Sequence, residues 1–414
     1  MRRILELDGI RALAIMAVIC CHYYPFSVMV YRLPELGWLG VDLFFVLSGF
    51  LITSILLDLR ARPHPYKVFY IRRILRIFPP YYAVMIAVII IASLQHDDSF
   101  TWIRFAKKAV FLQSFGSEID IVKRAAHALT GARLPDLFGM ATLPPTLDRF
   151  PVSRFSNSFA PTWSLSIEEW FYILWAPLAL RARRRTLGII CIATCLGALL
   201  IRWLGFAGIR TYFDFASRVD MLLWGALLAL WMERRQSLSP RRQNCGDTVM
   251  FAISFASGLL FVWILVSIRP LLGYEIRESA LFMVFGLPLA GLSLAGILGY
   301  VILNAGSQSI PNRILRYGPL VGLGTVSYTL YLVHVSLYFL VSEVFSRLMG
   351  YAPVTYRSAL VVSIVSAAVS VSVAWISFRY IESPILKYKD KVTRHVIRSS
   401  MNSPLTNTLG KAFS

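Results

Sequence analysis

The sequence predicts an all-α membrane protein, a polytopic bundle of about ten transmembrane helices with both termini in the cytoplasm. Its 414 residues are 57% hydrophobic and only 15% charged, whereas soluble domains carry about 25% charged residues. The mean hydropathy is +0.63. The apolar residues gather in runs that are long enough to cross a bilayer, and the basic residues gather between these runs.

Ten apolar runs approach or exceed the length of about 20 residues that a transmembrane helix needs. They cover residues 9–27, 38–58, 77–94, 161–180, 186–205, 218–232, 249–268, 280–303, 319–341 and 358–380. The first run follows two arginines and is therefore similar to a signal peptide. Because Asp8 and Arg11 interrupt it and no small-residue cleavage site follows, we expect it to be retained as the first span.

The loop charges predict the orientation of the bundle, since cytoplasmic loops carry an excess of Lys and Arg. The basic stretches are 59–76, 181–185, 233–242, 304–316 and the tail from Lys387. With ten spans, all of them fall on one side of the membrane if the N-terminus is inside. The formal net charge of +20 is thus typical of a membrane protein. We expect no nucleic-acid partner, because no aromatic-basic module accompanies the charge.

We divide the chain into a membrane domain, residues 1–386, and a basic cytoplasmic tail, residues 387–414. Within the membrane domain, residues 95–160 are predicted to form an extracytoplasmic loop. Its stretch 100–115 is amphipathic and is expected to lie in the interface or to re-enter the bundle. Two interpretations of 116–160 stay open: a lid or acceptor-binding loop over the outer mouth, and a flexible loop.

The five cysteines predict neither a disulfide framework nor a metal site. Four of them lie inside apolar runs and Cys245 lies in a basic loop. The sequence contains no CxxC pair and no spaced Cys/His cluster. We therefore expect free thiols and no bound metal.

Ionisable residues inside the first span are functional candidates, because charged groups in hydrocarbon are costly and mark sites by default. Arg11 and His22 are eleven residues apart, which places them on one helix face about 16 Å apart along the axis. Asp8 lies one turn before Arg11 and is predicted to pair with it. We interpret His22 as a general base with Arg11 as a supporting cation. The alternative for His22 is a packing histidine that satisfies a buried hydroxyl.

Arginines crowd the cytoplasmic start of the third span. Arg72 and Arg76 are four residues apart, and Arg73 and Arg76 are three apart. Guanidinium groups match the geometry of phosphate oxygens, so these three residues are candidates for binding the phosphates of a donor such as acyl-coenzyme A. The alternative is that they snorkel to lipid phosphates.

Two adjacent acids, Glu168 and Glu169, lie in the fourth span. We predict that Glu168 orients or charge-balances His22, by the logic of a catalytic triad. The competing interpretation is a helix start capped by Thr162 or Ser164, with acids in its early turns.

The ninth span contains two tyrosines and a histidine at i,i+3 spacing, which predict an acceptor pocket or, alternatively, an aromatic packing stripe. The candidate substrate-binding residues are Tyr328, Tyr331, His334, Asp42 and Glu169. Asp42 in the second span is also typical of a structural ion pair, as are Arg218 and Asp220 at the start of the sixth.

In this order, the polar motifs resemble those of the acyltransferase family 3 of membrane proteins. The resembling segments are LDGIRALAI followed by His22, GVDLFFVLSGFLIT, FYIRRILRIFPPYY, TWSLSIEEWFY, RVDMLLWGALLA, SYTLYLVH and RYIESP, which together span about residues 4–386. The resemblance implies about ten spans and the transfer of acyl groups, usually acetyl from acetyl-CoA, to carbohydrate hydroxyls. It places the functional residues of the family on Arg11, His22, Arg73, Arg76 and either Glu168 or Glu169.

We therefore expect an O-acetyltransferase of the bacterial inner membrane. Its partners would be acyl-CoA, the bilayer and a cell-envelope or secreted carbohydrate such as lipopolysaccharide O-antigen or exopolysaccharide. Acetyl-CoA is expected as a co-substrate, without a permanently bound cofactor. Direct transfer in a pore and a relay through acyl-histidine both stay open. The alternative function is a transporter or flippase of lipid-linked sugars. Such proteins often contain two related halves with broken helices, which this sequence does not show.

Overall fold

The computed structural model describes residues 3–23, 33–94, 102–115, 159, 161–205, 212–268, 276, 279–350, 352–353 and 355–401. Within these residues the regular structure is entirely helical, as predicted. In the first half of the chain the helices are α1 (Leu5–His22), α2 (Leu39–Leu59), α3 (Pro65–Leu94), α4 (Trp102–Ala109), α5 (Trp163–Arg181) and α6 (Arg184–Leu204). In the second half they are α7 (Phe215–Arg235), α8 (Pro240–Ser267), α9 (Leu287–Leu303), α10 (Ile310–Leu315), α11 (Gly318–Thr325), α12 (Ser327–Met349), α13 (Tyr356–Ser377) and α14 (Ser383–Met401).

Eight of the described helical segments are long and apolar enough to cross a membrane. These segments contain α2, α3, α6, α7, α8, α9, α12 and α13. The remaining two predicted spans, 9–27 and 161–180, coincide with α1 and α5, which have 18 and 19 residues and carry buried acids. Residues 24–27 lie outside the described part of the chain. The structure therefore supports a multi-pass membrane protein, and a total of ten spans stays a prediction.

Glycine allows α2 and α7 to cross at close range. Gly49 of α2 faces the backbone carbonyl of Leu222 in α7, and Gly225 of α7 faces the backbone carbonyl of Val46 in α2. A Cβ atom at either glycine would overlap backbone atoms of the opposite helix. Small residues permit such contacts in membrane bundles, where van der Waals packing drives helix association. The crossing fixes the position of Ser48, the neighbour of Gly49.

Close backbone contacts also hold α1. Gly9 of α1 lies against the carbonyl of Leu315 at the end of α10, and Gly324 of α11 lies against the carbonyl of Asp8. Near the middle of α1, Gly40 of α2 lies against the carbonyl of Ala14. These contacts place the helix that carries two of the candidate residues in the centre of the bundle.

The segment from α4 to Phe115 packs against α5, and this contact favours re-entry into the bundle over a position in the interface. Phe111 is buried, and its φ of 56° lies in the left-handed region. Its carbonyl accepts hydrogen bonds from Ser166 Oγ at 2.5 Å and from Trp170 Nε1 at 2.8 Å. These two donors stabilise a backbone conformation that is uncommon for a non-glycine residue. Nearly all of 116–160 lies outside the described residues.

The start of the predicted basic tail is helical. Helix α14 contacts α3 and follows a π-helical turn, Phe378–Glu382. The predicted boundary at residue 386 therefore falls within a continuous helical segment, and whether 387–414 acts as a separate unit stays a prediction.

Replacing Gly49 by alanine is expected to destabilise the protein by about 1–3 kcal/mol, the usual cost of overpacking. Thermal unfolding in detergent, followed by tryptophan fluorescence, measures the change. The matched control is Gly197→Ala in α6, because no atom lies within 4 Å of a Cβ built there. The control is expected to keep the wild-type melting temperature or to raise it slightly, since alanine favours the helix. Equal melting temperatures for the two variants would contradict the close crossing.

Candidate functional site

A cavity of about 210 Å³ lies where α1, α2, α3, α5 and α12 meet. Apolar side chains of α2 and Ile77 of α3 form part of its wall. The polar residues that line it are Arg11, Ser48, Arg73, Arg76, Ser164, Glu168, Tyr172, Ser327, Tyr328 and Tyr331. The structure thus brings into one cavity residues that the sequence analysis found in separate motifs.

The cavity has a cationic wall. Its arginines are Arg11, Arg73 and Arg76, and Glu168 is the one carboxylate among the described lining residues. The predicted ion pair between Arg11 and Asp8 is confirmed, with Nη1 2.6 Å from Oδ1. The guanidinium of Arg73 lies 5.4 Å from the ring centroid of Tyr172. Because cations outnumber carboxylates on this wall, the cavity suits an anionic ligand.

Arg72, the remaining predicted donor-binding residue, lies away from the cavity. It follows Ile71 and precedes Arg73 on α3, so it points about 100° away from Arg73 around the helix. It is not among the residues that line the cavity. The structure therefore separates Arg72 from the two arginines with which it was grouped.

Glu168 forms a hydrogen-bonded group with two hydroxyls. Tyr172 Oη donates to Glu168 Oε2 at 2.5 Å, Ser48 Oγ donates to the same oxygen at 3.1 Å, and the two hydroxyl oxygens are 2.6 Å apart. A buried carboxylate is costly unless it accepts such bonds. The predicted contact of Glu168 with His22 is not among the hydrogen bonds that the structure gives it. Thr162 occupies the N-cap of α5 without a capping hydrogen bond, which weighs against the capping interpretation.

His22 and His334 lie side by side, a pairing that the sequence analysis did not predict. Nδ1 of His22 is 3.1 Å from Nε2 of His334, and the ring centroids are 5.1 Å apart. His334 is completely buried, and its Nδ1 is 2.7 Å from the backbone oxygen of Tyr331. The side chain of Tyr331 lines the cavity. One residue therefore contacts both the cavity and the histidine pair.

Tyr331 and Tyr328 are held by hydrogen bonds to backbone and side-chain groups. Tyr331 Oη donates to the Pro161 carbonyl at 2.6 Å and lies 2.7 Å from Ser164 Oγ. Tyr328 Oη donates to the Ile77 carbonyl at 2.9 Å, one turn before the Pro79–Pro80 pair of α3. The two predicted substrate-binding tyrosines thus share the cavity wall, and their hydroxyls already have protein partners.

Asp42, predicted as a substrate-binding residue or a structural ion pair, lies outside the cavity. It pairs with Arg218, and beside it Arg202 Nη2 lies 2.8 Å from Asp220 Oδ2. The exposure of these four side chains is at most 1%. The Arg218 guanidinium also lies 4.5 Å from the ring centroid of Tyr212. This geometry favours the structural interpretation of Asp42. Arg202 was missed, although an arginine near the end of an apolar run was a signal for it.

Glu169, another predicted substrate-binding residue, is buried but lies away from the cavity. Its Oε1 has no hydrogen-bond partner within the part of the chain that the structure describes. The neighbouring charge of Arg73 interacts with its carboxyl group. Of the two adjacent acids, Glu168 is therefore the one that reaches the cavity.

Comparisons with known proteins agree with these observations. The family model described as an acyltransferase domain matches residues 4–379. The chain is 29% identical over 397 residues to the peptidoglycan O-acetyltransferase OatA of Listeria monocytogenes, covering 92% of this chain and 56% of that protein. It is 25% identical over 393 residues to the O-acetyltransferase OatA of Staphylococcus aureus, covering 92% and 57%. The chain thus spans about half the length of the curated relatives it matches. No solved structure matches it.

Replacing Asp42 by asparagine is expected to destabilise the protein by about 3–5 kcal/mol, because Arg218 then lacks its buried counter-charge. The double variant Asp42→Leu with Arg218→Leu removes both charges and is expected to unfold at a higher temperature than the single variant. Thermal unfolding in detergent measures both effects.

The control for this prediction is Glu343→Gln, which breaks a pair on the surface of α12 where Arg347 is 71% exposed. It is expected to change the stability by less than about 1 kcal/mol. If Asp42→Asn keeps the wild-type melting temperature and loses activity, Asp42 binds substrate and the structural interpretation is wrong.

Proposed function

The chain belongs to the acyltransferase domain family, whose model covers residues 4–379, and from this premise we propose that it is a membrane O-acetyltransferase. In this proposal, an acetyl group passes from acetyl-CoA on the cytoplasmic side to a hydroxyl of a cell-envelope carbohydrate. One observation supports the proposal most directly. The arginines and Tyr331 line a single cavity, and the backbone carbonyl of Tyr331 lies within hydrogen-bond distance of His334, which pairs with His22.

We assign the arginines to the donor. Arg76 is exposed, whereas Arg11 and Arg73 are partly buried. A cavity of about 210 Å³ is smaller than the 300 Å³ or so at which pockets for drug-sized ligands begin. We therefore place the phosphates of coenzyme A at the Arg76 end and only the acylated end of the molecule inside the cavity. The charges of Arg11 and Arg73 would there stabilise negative charge that develops on the thioester oxygen.

We assign His22 to the acceptor as a general base. It takes the proton of the acceptor hydroxyl while the hydroxyl oxygen attacks the carbonyl carbon of the thioester. The carbon–sulfur bond breaks, and the leaving thiolate receives the proton from the His22 imidazolium. The products are the acetyl ester and the coenzyme A thiol, so atoms and charges balance. General-base catalysis of this kind contributes about 10²–10⁴-fold in rate.

The acceptor in this proposal is a glycan of the cell envelope, made accessible on the outer side of the inner membrane. The Listeria relative is named a peptidoglycan O-acetyltransferase, which supports peptidoglycan as the first acceptor to test. Lipopolysaccharide O-antigen and exopolysaccharide, the acceptors expected from the sequence, are the next. Mass spectrometry of envelope glycans from cells with and without the gene identifies both the acyl group and the acceptor.

Membranes that contain the protein are expected to form acetylated envelope glycan from labelled acetyl-CoA. His22→Ala is expected to lower this activity by at least about 100-fold through loss of the base, with expression and thermal stability retained. His64→Asn in the loop after α2 is the control, since asparagine tolerates the backbone φ of 49° found there.

Two results would contradict this proposal in different ways. Full activity of His22→Ala would remove the assigned base and leave the reaction intact. Movement of glycan across the bilayer without acetylation would favour the transporter or flippase function instead.

Arg73→Ala is expected to lower kcat by about 10–100-fold, because the negative charge that develops on the thioester oxygen loses this cation, and a hydrogen bond to a charged group is worth about 1.5–3 kcal/mol. Arg72→Ala is the matched control, since it removes the same charge from the adjacent position outside the cavity. Steady-state kinetics with varied acetyl-CoA measure both values. Equal effects of the two substitutions would indicate a general effect of basic charge, such as attraction to lipid phosphates.

A further inference from the structure

We infer that His334 is a positioning residue, which holds His22 in the tautomer that a general base requires. The sequence predicts His334 to be a substrate-binding residue, and the pairing of the two rings assigns it a different role. The inference rests on the proposed function because it takes His22 as the base. It adds the group that determines which nitrogen of His22 accepts the proton.

The Tyr331 carbonyl determines which atoms donate and which accept in this series of hydrogen bonds. This oxygen lies 2.7 Å from Nδ1 of His334, and a carbonyl oxygen can only accept. Nδ1 of His334 must therefore carry the hydrogen. A neutral imidazole carries one hydrogen, so Nε2 of His334 presents its lone pair. Full burial favours this neutral form, because an isolated charge is expensive to bury.

The lone pair of His334 then determines the tautomer of His22. Nε2 of His334 lies 3.1 Å from Nδ1 of His22, and two lone pairs cannot form a hydrogen bond. Nδ1 of His22 must donate, and the lone pair of His22 consequently lies on Nε2. An imidazole without such a partner exchanges between both tautomers, and only one of them presents Nε2 as a base. Three groups in series, the Tyr331 carbonyl and the two rings, thus select the basic nitrogen.

Helix packing keeps the two rings at this separation. Tyr23, the residue after α1, is completely buried. Its hydroxyl donates to the backbone oxygen of His334 at 3.0 Å and lies 3.1 Å from Ser370 Oγ of α13. Its ring stacks on Tyr338 with a centroid distance of 4.9 Å. The end of α1 is therefore attached to α12 and α13 beside the pair, so the contact does not depend on two mobile side chains.

The hydrogen bond between the rings should strengthen during the reaction. When His22 accepts a proton on Nε2, its Nδ1–H becomes the donor of an imidazolium, and a charge-assisted hydrogen bond is about twice as strong as a neutral one. An interaction that is stronger in the transition state than in the ground state raises kcat, whereas an interaction of equal strength in both states changes only substrate binding. Loss of His334 is therefore expected to lower kcat and to leave the KM for acetyl-CoA near its wild-type value.

The kinetic test compares two replacements of His334. In His334→Gln, the side-chain amide oxygen can accept from Nδ1 of His22 as Nε2 does, so most of the activity is expected to remain. The side chain in His334→Leu has no acceptor atom, and kcat is expected to fall by about 100-fold, the lower end of general-base contributions. Ser372→Ala is the control and is expected to keep the wild-type kcat, because the exposed Ser372 hydroxyl donates to the Ala368 carbonyl within α13 and takes no part in holding the pair. A fall of equal size in the Gln and Leu variants, or full activity in both, would overturn the inference.

A spectroscopic test does not depend on catalysis. Nitrogen-15 NMR of the histidine-labelled protein in detergent distinguishes a ring nitrogen that carries hydrogen from one that carries a lone pair. The signals of His22 are assigned by their absence in His22→Ala. The wild type is expected to show hydrogen on Nδ1 of His22, and His334→Leu is expected to show a mixture of tautomers. Hydrogen on Nε2 in the wild type would overturn the inference even in an active enzyme. Absence of acetyl transfer in the wild type would instead refute the proposed function.

Discussion

Every ionisable group between the helices of this bundle must find its partner inside the protein, because hydrocarbon offers none. Carboxylates of α1 and α2 meet this demand with arginines, as in the pairs Asp8–Arg11 and Asp42–Arg218. Glu168 accepts from two hydroxyls. Each solution joins specific positions, and the Asp42–Arg218 and Ser48–Glu168 contacts join different helices. The polar contacts therefore specify which helices are neighbours, a choice that apolar packing alone leaves open in a lipid environment.

Two of the helices that meet at the cavity, α1 and α5, are also the least typical membrane spans. Among the described segments, α1 and α5 are not among the eight that satisfy the criteria of length and hydropathy. Both contain acidic residues, which lower the mean hydropathy of the helix. Charge inside a span lowers its hydropathy, and the proposed function uses that charge. Local rules are thus violated at the functional site, as is common in natural proteins. The glycine contacts at Gly9 and Gly324 compensate by fixing α1 through its backbone.

The sequence was sufficient to predict the helices and the contacts within one helix. Apolar runs placed ten long helices of the described part of the chain, though not α14, and helical phase placed Asp8 beside Arg11, since both arguments use only the spacing along one segment. The pairing of His22 with His334 joins residues that are 312 positions apart, and no periodicity reports which helices are neighbours. A weaker signal existed: these are the histidines that lie inside predicted spans, and buried ionisable groups tend to pair. Ser48 gave no comparable signal, because single serines are common in membrane helices.

The cost of an unpaired charge between the helices also explains why His22 pairs with an imidazole and not with the carboxylate that the sequence suggested. A carboxylate beside a neutral histidine would leave a buried negative charge whenever the base is at rest, which is costly in a medium of low dielectric constant. A neutral imidazole requires no counter-charge at rest and still accepts the hydrogen bond that selects the tautomer. Glu168 lies instead near Arg11 and Arg73, whose charges interact with its carboxyl group. The bundle therefore separates two tasks: charged residues surround the cavity in which an anionic donor would bind, and neutral groups position the base.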